Sequence, residues 1–254
     1  MCASPIEGKE MGGTQRQASL PPPPRSPPHR RAEEMSDAKP KDPSAPPRAL
    51  RFDEAEMAEG IRRFLEGIGI GATGECRNTP QRVARVWKEE FLDGYTMRPE
   101  EILAEAMPSQ TKSLIVVRDI AFHAICPHHL LPYGGVAHLA YLPGGKISGF
   151  SHLVRLVECF THRLALQEEI TRQIPEALIR FLGARGAACI MTAVQQCMTI
   201  TGPVSRGSRV VTSSLQGAFE KDPCLREELF FALQGRAHPP GNAAQDHSMN
   251  LSHY

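Results

Sequence analysis

An α+β fold built on an antiparallel sheet is expected of this 254-residue chain on three grounds. Apolar residues first recur at helical spacing and then switch to strand-like runs. Those runs come in adjacent pairs, as hairpins do. The order of two helices, two strands, two helices and two strands places helices on an antiparallel sheet rather than in alternating crossover units.

The first helix is expected over 54–67, where Met57, Ile61, Phe64 and Leu65 recur on one face, and the Gly-rich run GIGIGATGE closes it. Asn78-Thr79-Pro80 reads as a cap with proline in the first turn of a second helix, which carries Val83, Val86, Trp87 and Phe91 and stops at Gly94. The runs 113–126 and 136–142 form a hairpin whose connection is rich in functional side chains. Ser151 caps a third helix with a buried stripe of Leu153, Leu156, Val157 and Phe160. A fourth is expected over 171–182, with Pro175 near its first turn. A strand over 187–199 sets Gln195 and Cys197 on one face, and a strand over 210–215 completes the sheet.

The domain so defined is expected over 51–236. Residues 1–50 carry a run of proline and charge (PPPPRSPPHRR, then KPKDPSAPPR) with too little apolar surface to offset the entropy of ordering, and 237–254 read as a second disordered tail. A net charge of +1 gives no global field toward nucleic acid or a membrane surface. No apolar leader and no run of about 18 apolar residues is present, so a cytoplasmic location is expected. The seven scattered cysteines suit a reducing compartment. Cys159, Cys189 and Cys224 read as packing residues, whereas Cys2 and Cys76 have no evident partner.

Cys126-Pro127-His128-His129 carries the clearest chemistry, because a thiolate and an imidazole three residues apart at a strand end can meet one divalent ion. Cys197 is the best third ligand, on a strand among polar neighbours. Three protein ligands would leave a fourth position for water, the catalytic arrangement of zinc. Spacing alone leaves open whether these are instead buried thiols and loop histidines.

The run VRDIAFHAICPHHLLPYGGVAHLAYLPGGKISGFSHLVRLVECFTHRLALQEEIT resembles the central block of GTP cyclohydrolase I. NTPQRVARVWKEEFLDGY resembles an N-terminal helix of that family, and AVQQCM with TSSLQGAF resemble its last two strands. The resemblance implies a tunnelling-fold (T-fold) antiparallel sheet with two helices on one face, preceded by a helical region. It implies Zn2+ on Cys126, His129 and Cys197, a catalytic role for His128, and a guanine-reading pair at Gln167-Glu168. It also implies a ring-shaped homo-oligomer with sites between subunits, and hydrolysis of GTP at C8 to dihydroneopterin triphosphate and formate. Bound zinc would bring the pKa of its water toward about 7.

Four positions depart from the family's pattern. Pro127 replaces the motif glutamate, Gln195 a second catalytic histidine, His152 the lysine of a Ser-Lys pair after Ser151, and Thr201 an arginine. Glutamine cannot transfer a proton near pH 7, a loss of about 10² to 10⁴-fold in the step that needs one. Losing two cations weakens triphosphate binding by about 1.5 to 3 kcal/mol each. Arg82, Arg85 and Arg155 match remaining basic positions, while Arg206 and Arg209 either reach in or are solvated. Three functions therefore stay open: a working cyclohydrolase; a paralogue acting on a less phosphorylated guanine derivative or stopping at a ring-opened product; and a non-catalytic pterin-binding or regulatory subunit.

Overall fold

The structure, a computed structural model, describes residues 52–201 and 207–234. Arg206, the side chain of Thr201 and the two expected tails lie outside the described residues.

Helix α1 (Glu54–Gly67) occupies the expected span, and Asp53 caps it by accepting from the Glu56 amide. Gly69 and Gly71 then turn the chain at positive φ, a conformation open to glycine at little cost. Of its expected stripe Leu65 is buried, while Phe64 is 64% exposed. Helix α2 (Thr79–Val86) starts with Pro80 in its first turn and runs on through a π turn, Trp87–Phe91. Gly94 does not stop a helix by its dihedrals. A Cβ there would lie 2.7 Å from the His162 carbonyl oxygen and 2.9 Å from that of Cys159, so only glycine permits this close approach.

After α3 (Pro99–Ala104) come the two-residue strand β1 (Met107–Pro108) and the long strands β2 (Ile115–Ile125) and β3 (Pro132–Leu142). The two-residue β4 (Lys146–Ile147) pairs back with β1. Helix α4 (Phe150–Thr161) buries the expected Leu153, Leu156, Val157 and Phe160. Gly149, not Ser151, is its N-cap, and no side chain caps it. Helix α5 (Gln167–Ala177) begins earlier than expected, which moves Pro175 from the first turn into the interior. Proline there removes the amide that would bond the Thr171 carbonyl, and the helix loosens directly afterwards into a π turn, Leu178–Leu182.

Strand β5 (Gly186–Gln195) stops four residues short of the expected end and gives way to helix α6 (Gln196–Thr201). The last pair of the ladder is Tyr133 with Gln195. Beyond it the neighbouring strand begins at Pro132, which has no N–H to offer, so the chain satisfies its own amides by coiling. Strand β6 (Val210–Gly217) leads into α7 (Ala218–Lys221) and α8 (Pro223–Leu233). Sequence reading missed α8: Asp222 caps it, accepting from the amides of Cys224 and Leu225, and Cys224 is exposed in its first turn rather than packed.

The main sheet is antiparallel in the order β2-β3-β5-β6. Helices α4 and α5 lie on one face, where Leu153, Leu156, Ile170 and Ile174 meet Phe122, Leu139 and Met191 in the principal core. Helices α7 and α8 cover part of the other face with Phe219, Leu225 and Leu229 over Ala140 and Ala188. The α+β class, the antiparallel sheet and the helix pair on one face are as expected; the second helical layer is an addition.

Candidate metal centre

The connection between β2 and β3 is a tight loop tied at both ends to one residue. The Cys126 amide donates to the Leu131 carbonyl, and the Cys126 carbonyl accepts from the Leu130 amide, each at 2.9 Å. Closing the loop puts Leu130 at φ 52°, a left-handed conformation uncommon for a residue with a Cβ. This fixes Cys126 at the end of the sheet and turns His129 back over it, so that the His129 Nδ1 lies 3.7 Å from the Cys126 Sγ. Because β5 ends at Gln195, Cys197 reaches the same point from the first turn of α6 rather than along a strand face. The ligand atoms of Cys126, His129 and Cys197 all lie within 4.8 Å of one another.

A tetrahedral ion with sulfur at ~2.3 Å and nitrogen at ~2.0 to 2.1 Å separates its ligand atoms by roughly 3.5 to 3.8 Å. The 3.7 Å sulfur–nitrogen spacing fits that figure. Two thiols and an imidazole suit zinc, and a set of three leaves one coordination position open. Burial raises the Cys197 thiol above its ordinary value, and the neighbouring Cys126 sulfur raises it further. A divalent cation between the two sulfurs would act in the opposite direction. His128 stands exposed next to the cluster, its ring edge-on to that of His129 with centroids 6.2 Å apart.

The start of α5 is held against this end of the sheet. Ile125 bridges to Leu164, and the Tyr133 hydroxyl donates to the Ala165 carbonyl at 2.8 Å. Burial pushes the Tyr133 phenol well above its ordinary value, and the charges of Cys126 and Glu168 add to the shift, which places both groups within electrostatic reach of one ring. Glu168 is exposed in the first turn of α5. Gln167 instead is 2% exposed, with its Nε2 shared among the Met191 carbonyl, the Val210 carbonyl and the Thr212 hydroxyl. Its Oε1 accepts from the Gln195 Nε2 at 2.8 Å. A base-reading role by direct contact is therefore open to Glu168, while the polar atoms of Gln167 are engaged within the protein.

The residues matched to a phosphate pocket lie on α2 and α4, with Arg209 just before β6. The His152 Nε2 is 3.2 Å from a Glu105 carboxylate oxygen, and its Nδ1 is buried without a hydrogen-bond partner. Arg85 faces Glu54 at 4.0 Å. Ser151, Arg82, Arg155 and Arg209 are exposed.

Tyr133 and Glu105 carry no sequence signal of a role, because an aromatic on a strand reads as core and a lone glutamate as solvated. The same holds for a second histidine pair. His162 binds Asp93 through Nδ1 at 2.7 Å and stacks on His123, with centroids 4.4 Å apart.

Among the described residues no helix is long and apolar enough to cross a membrane. The model of the GTP cyclohydrolase I family matches residues 57–234. The chain is 38% identical over 190 residues to GTP cyclohydrolase 1 of Ralstonia nicotianae, covering 74% of this chain and 90% of that one. It is 39% identical over 188 residues to the enzyme of the same name from Pelotomaculum thermopropionicum, and 38% over 188 residues to that of Aquifex aeolicus. Both alignments take in 73% of this chain and 100% of the relative. A family model spanning most of the chain and relatives matched along nearly their whole length lead to one conclusion: the chain belongs to the GTP cyclohydrolase I family.

Proposed function

We propose that this chain is a zinc-dependent hydrolase that opens the imidazole ring of a guanine nucleotide at C8, in the manner that the name of its relatives indicates. The observation carrying the proposal is the convergence of Cys126, His129 and Cys197 within 4.8 Å at the end of the sheet. These three side chains would hold the ion. Zinc bound there would supply Lewis acidity and make water a nucleophile near neutral pH.

The remaining work falls to neighbouring side chains. Glu168, exposed in the first turn of α5, accepts from the ring N–H and the exocyclic amine of guanine, a pair of donors that adenine lacks. His128 delivers a proton to the nitrogen that leaves C8, a task suited to imidazole near neutral pH. The net conversion takes GTP and one water to dihydroneopterin triphosphate and formate. The domain over 51–236 carries this activity, and ring assembly with sites between subunits, as the resemblance implies, completes it. A four-stranded sheet whose edge strands are β2 and β6 gains from such closure.

Two observations favour a second reading, in which the substrate carries fewer phosphates or the reaction stops at an opened ring. At the position of the expected lysine, His152 is engaged with a carboxylate, Glu105. At the position of the expected second histidine, Gln195 has no proton to give near pH 7. Incubating the zinc-loaded chain with GTP and with guanosine, while following formate and pterin fluorescence, separates the readings. Fluorescence from GTP supports the full reaction. Formate or a formylated pyrimidine without fluorescence supports the second, and turnover of neither overturns both in favour of a non-catalytic pterin-binding role.

A further inference from the structure

We infer that Gln167, as a positioning residue, locks the Gln195 carboxamide in one orientation, so that Gln195 meets a ligand beside the Cys126, His129 and Cys197 cluster as a hydrogen-bond acceptor. The inference rests on the proposed site and adds the polarity of one of its walls.

The direction of every bond in this network follows from two groups that can only accept. Gln167 is buried, and its amide nitrogen lies 3.2 Å from the Met191 carbonyl oxygen and 3.1 Å from that of Val210. A carboxamide turned the other way would set oxygen against two carbonyl oxygens, so the Gln167 nitrogen must occupy this position. The hydroxyls agree. Thr171 donates to the Gln167 backbone carbonyl at 2.7 Å, Thr212 then donates to Thr171 at 2.6 Å, and Thr212 is left to accept from the Gln167 amide. With its nitrogen spent, Gln167 offers only Oε1 to Gln195, and the 2.8 Å contact requires the Gln195 nitrogen to be the donor.

Orientation at Gln195 is thereby set from within the core. Strand alternation puts Gln195 on the side of Met191 and Ala193, facing α5, while Cys197 follows two residues later. In a planar amide whose nitrogen is directed at Gln167, the oxygen points away from it. A neutral imidazole with its N–H on Gln167 would present the same pattern, a donor inward and an acceptor outward. Gln195 thus keeps the polarity of a histidine in one tautomer and lacks its ability to carry a proton. A ligand seated here presents an N–H or O–H to this oxygen.

Three variants of the full chain loaded with Co2+ test the relay: Gln195→Met, which has similar length and no hydrogen bond, Gln195→Asn, one methylene too short to reach Gln167, and Gln195→His. GTP and guanosine are titrated calorimetrically, and the Co2+ d–d absorption is recorded with and without them. Loss of one hydrogen bond predicts a Kd about tenfold higher for the Met and Asn variants, with an altered ligand-induced change in the d–d envelope. The His variant should stay within about threefold of the parent. If Met and Asn bind as the parent does, or His is weakened as much as they are, the relay is wrong. Absence of a thiolate-to-Co2+ band in the parent marks failure of the metal centre itself. Should the Met variant melt early, the polar Asn variant decides the matter alone.

Discussion

Two pairs of cysteines lie against the same face of the sheet, and their surroundings make them different chemical groups. Cys159 and Cys189 are fully buried in the principal core. Burial pushes the Cys159 thiol up to about 11, against the pull of the neighbouring Arg163 guanidinium, and burial alone raises Cys189. Cys189 sits inside a complete ladder, opposite Leu139 on one side and Ser214 on the other. Cys126 and Cys197 flank the place where that ladder runs out, at Pro132 and Gln195. Within paired strands a cysteine is a small apolar side chain. Where pairing stops, the chain turns from both directions and brings two sulfurs and an imidazole together.

Exchanging the two environments gives the largest expected effect. Cys197→Ala should leave the isolated chain without zinc and reduce turnover by at least about 10²-fold. Cys189→Ala should retain zinc and cost about 1 to 2 kcal/mol in denaturant unfolding. Loss of zinc from the core variant would break the comparison.

Gln195→His sharpens the comparison at the sheet end. It restores a group able to transfer protons on the orientation set by Gln167, and should raise turnover by about 10- to 10²-fold in a formate assay. Glu168→Gln comes next, removing a charged acceptor from the first turn of α5. It should raise the Kd for GTP about tenfold and narrow the preference for GTP over ATP. An unchanged preference would remove Glu168 from base recognition.

The smallest effect on activity belongs to the core. The fold holds Cys159 protonated up to about pH 11, against an ordinary value of 9.0. Its contribution is complete below pH 9 and is lost as pH rises through 11, where the unfolded chain releases the proton first. Chemical denaturation should therefore show about 2 kcal/mol lost across that interval. Cys159→Ser should remove that share of the slope, while buried Cys189 keeps its own, and leave turnover at pH 7 unaltered.

Local patterns were the readable part of the sequence. Helix α1 follows from an amphipathic period closed by glycines, and the β2–β3 hairpin from two apolar runs around CPHH. What escaped depends on partners distant in sequence. The expected strand overran to 199 because its apolar and polar alternation continues, while the reason to stop is a proline on the neighbouring strand. Helix α8, capped by Asp222 and started by Pro223, finds its apolar face only against the back of the sheet. The motif pointed to Cys126 and His129, and the structure brings Cys197 to them. Engagement of Gln167 with two carbonyls on separate strands had no sequence signature.

X-ray absorption at the zinc edge, on the full chain isolated without added metal, tests the central claim most directly. Two sulfur ligands at ~2.3 Å with one imidazole nitrogen and one further light atom at ~2.0 to 2.1 Å are expected, at one zinc per chain. A chain free of zinc, or a shell of oxygen and nitrogen alone, would contradict the site at the end of the sheet.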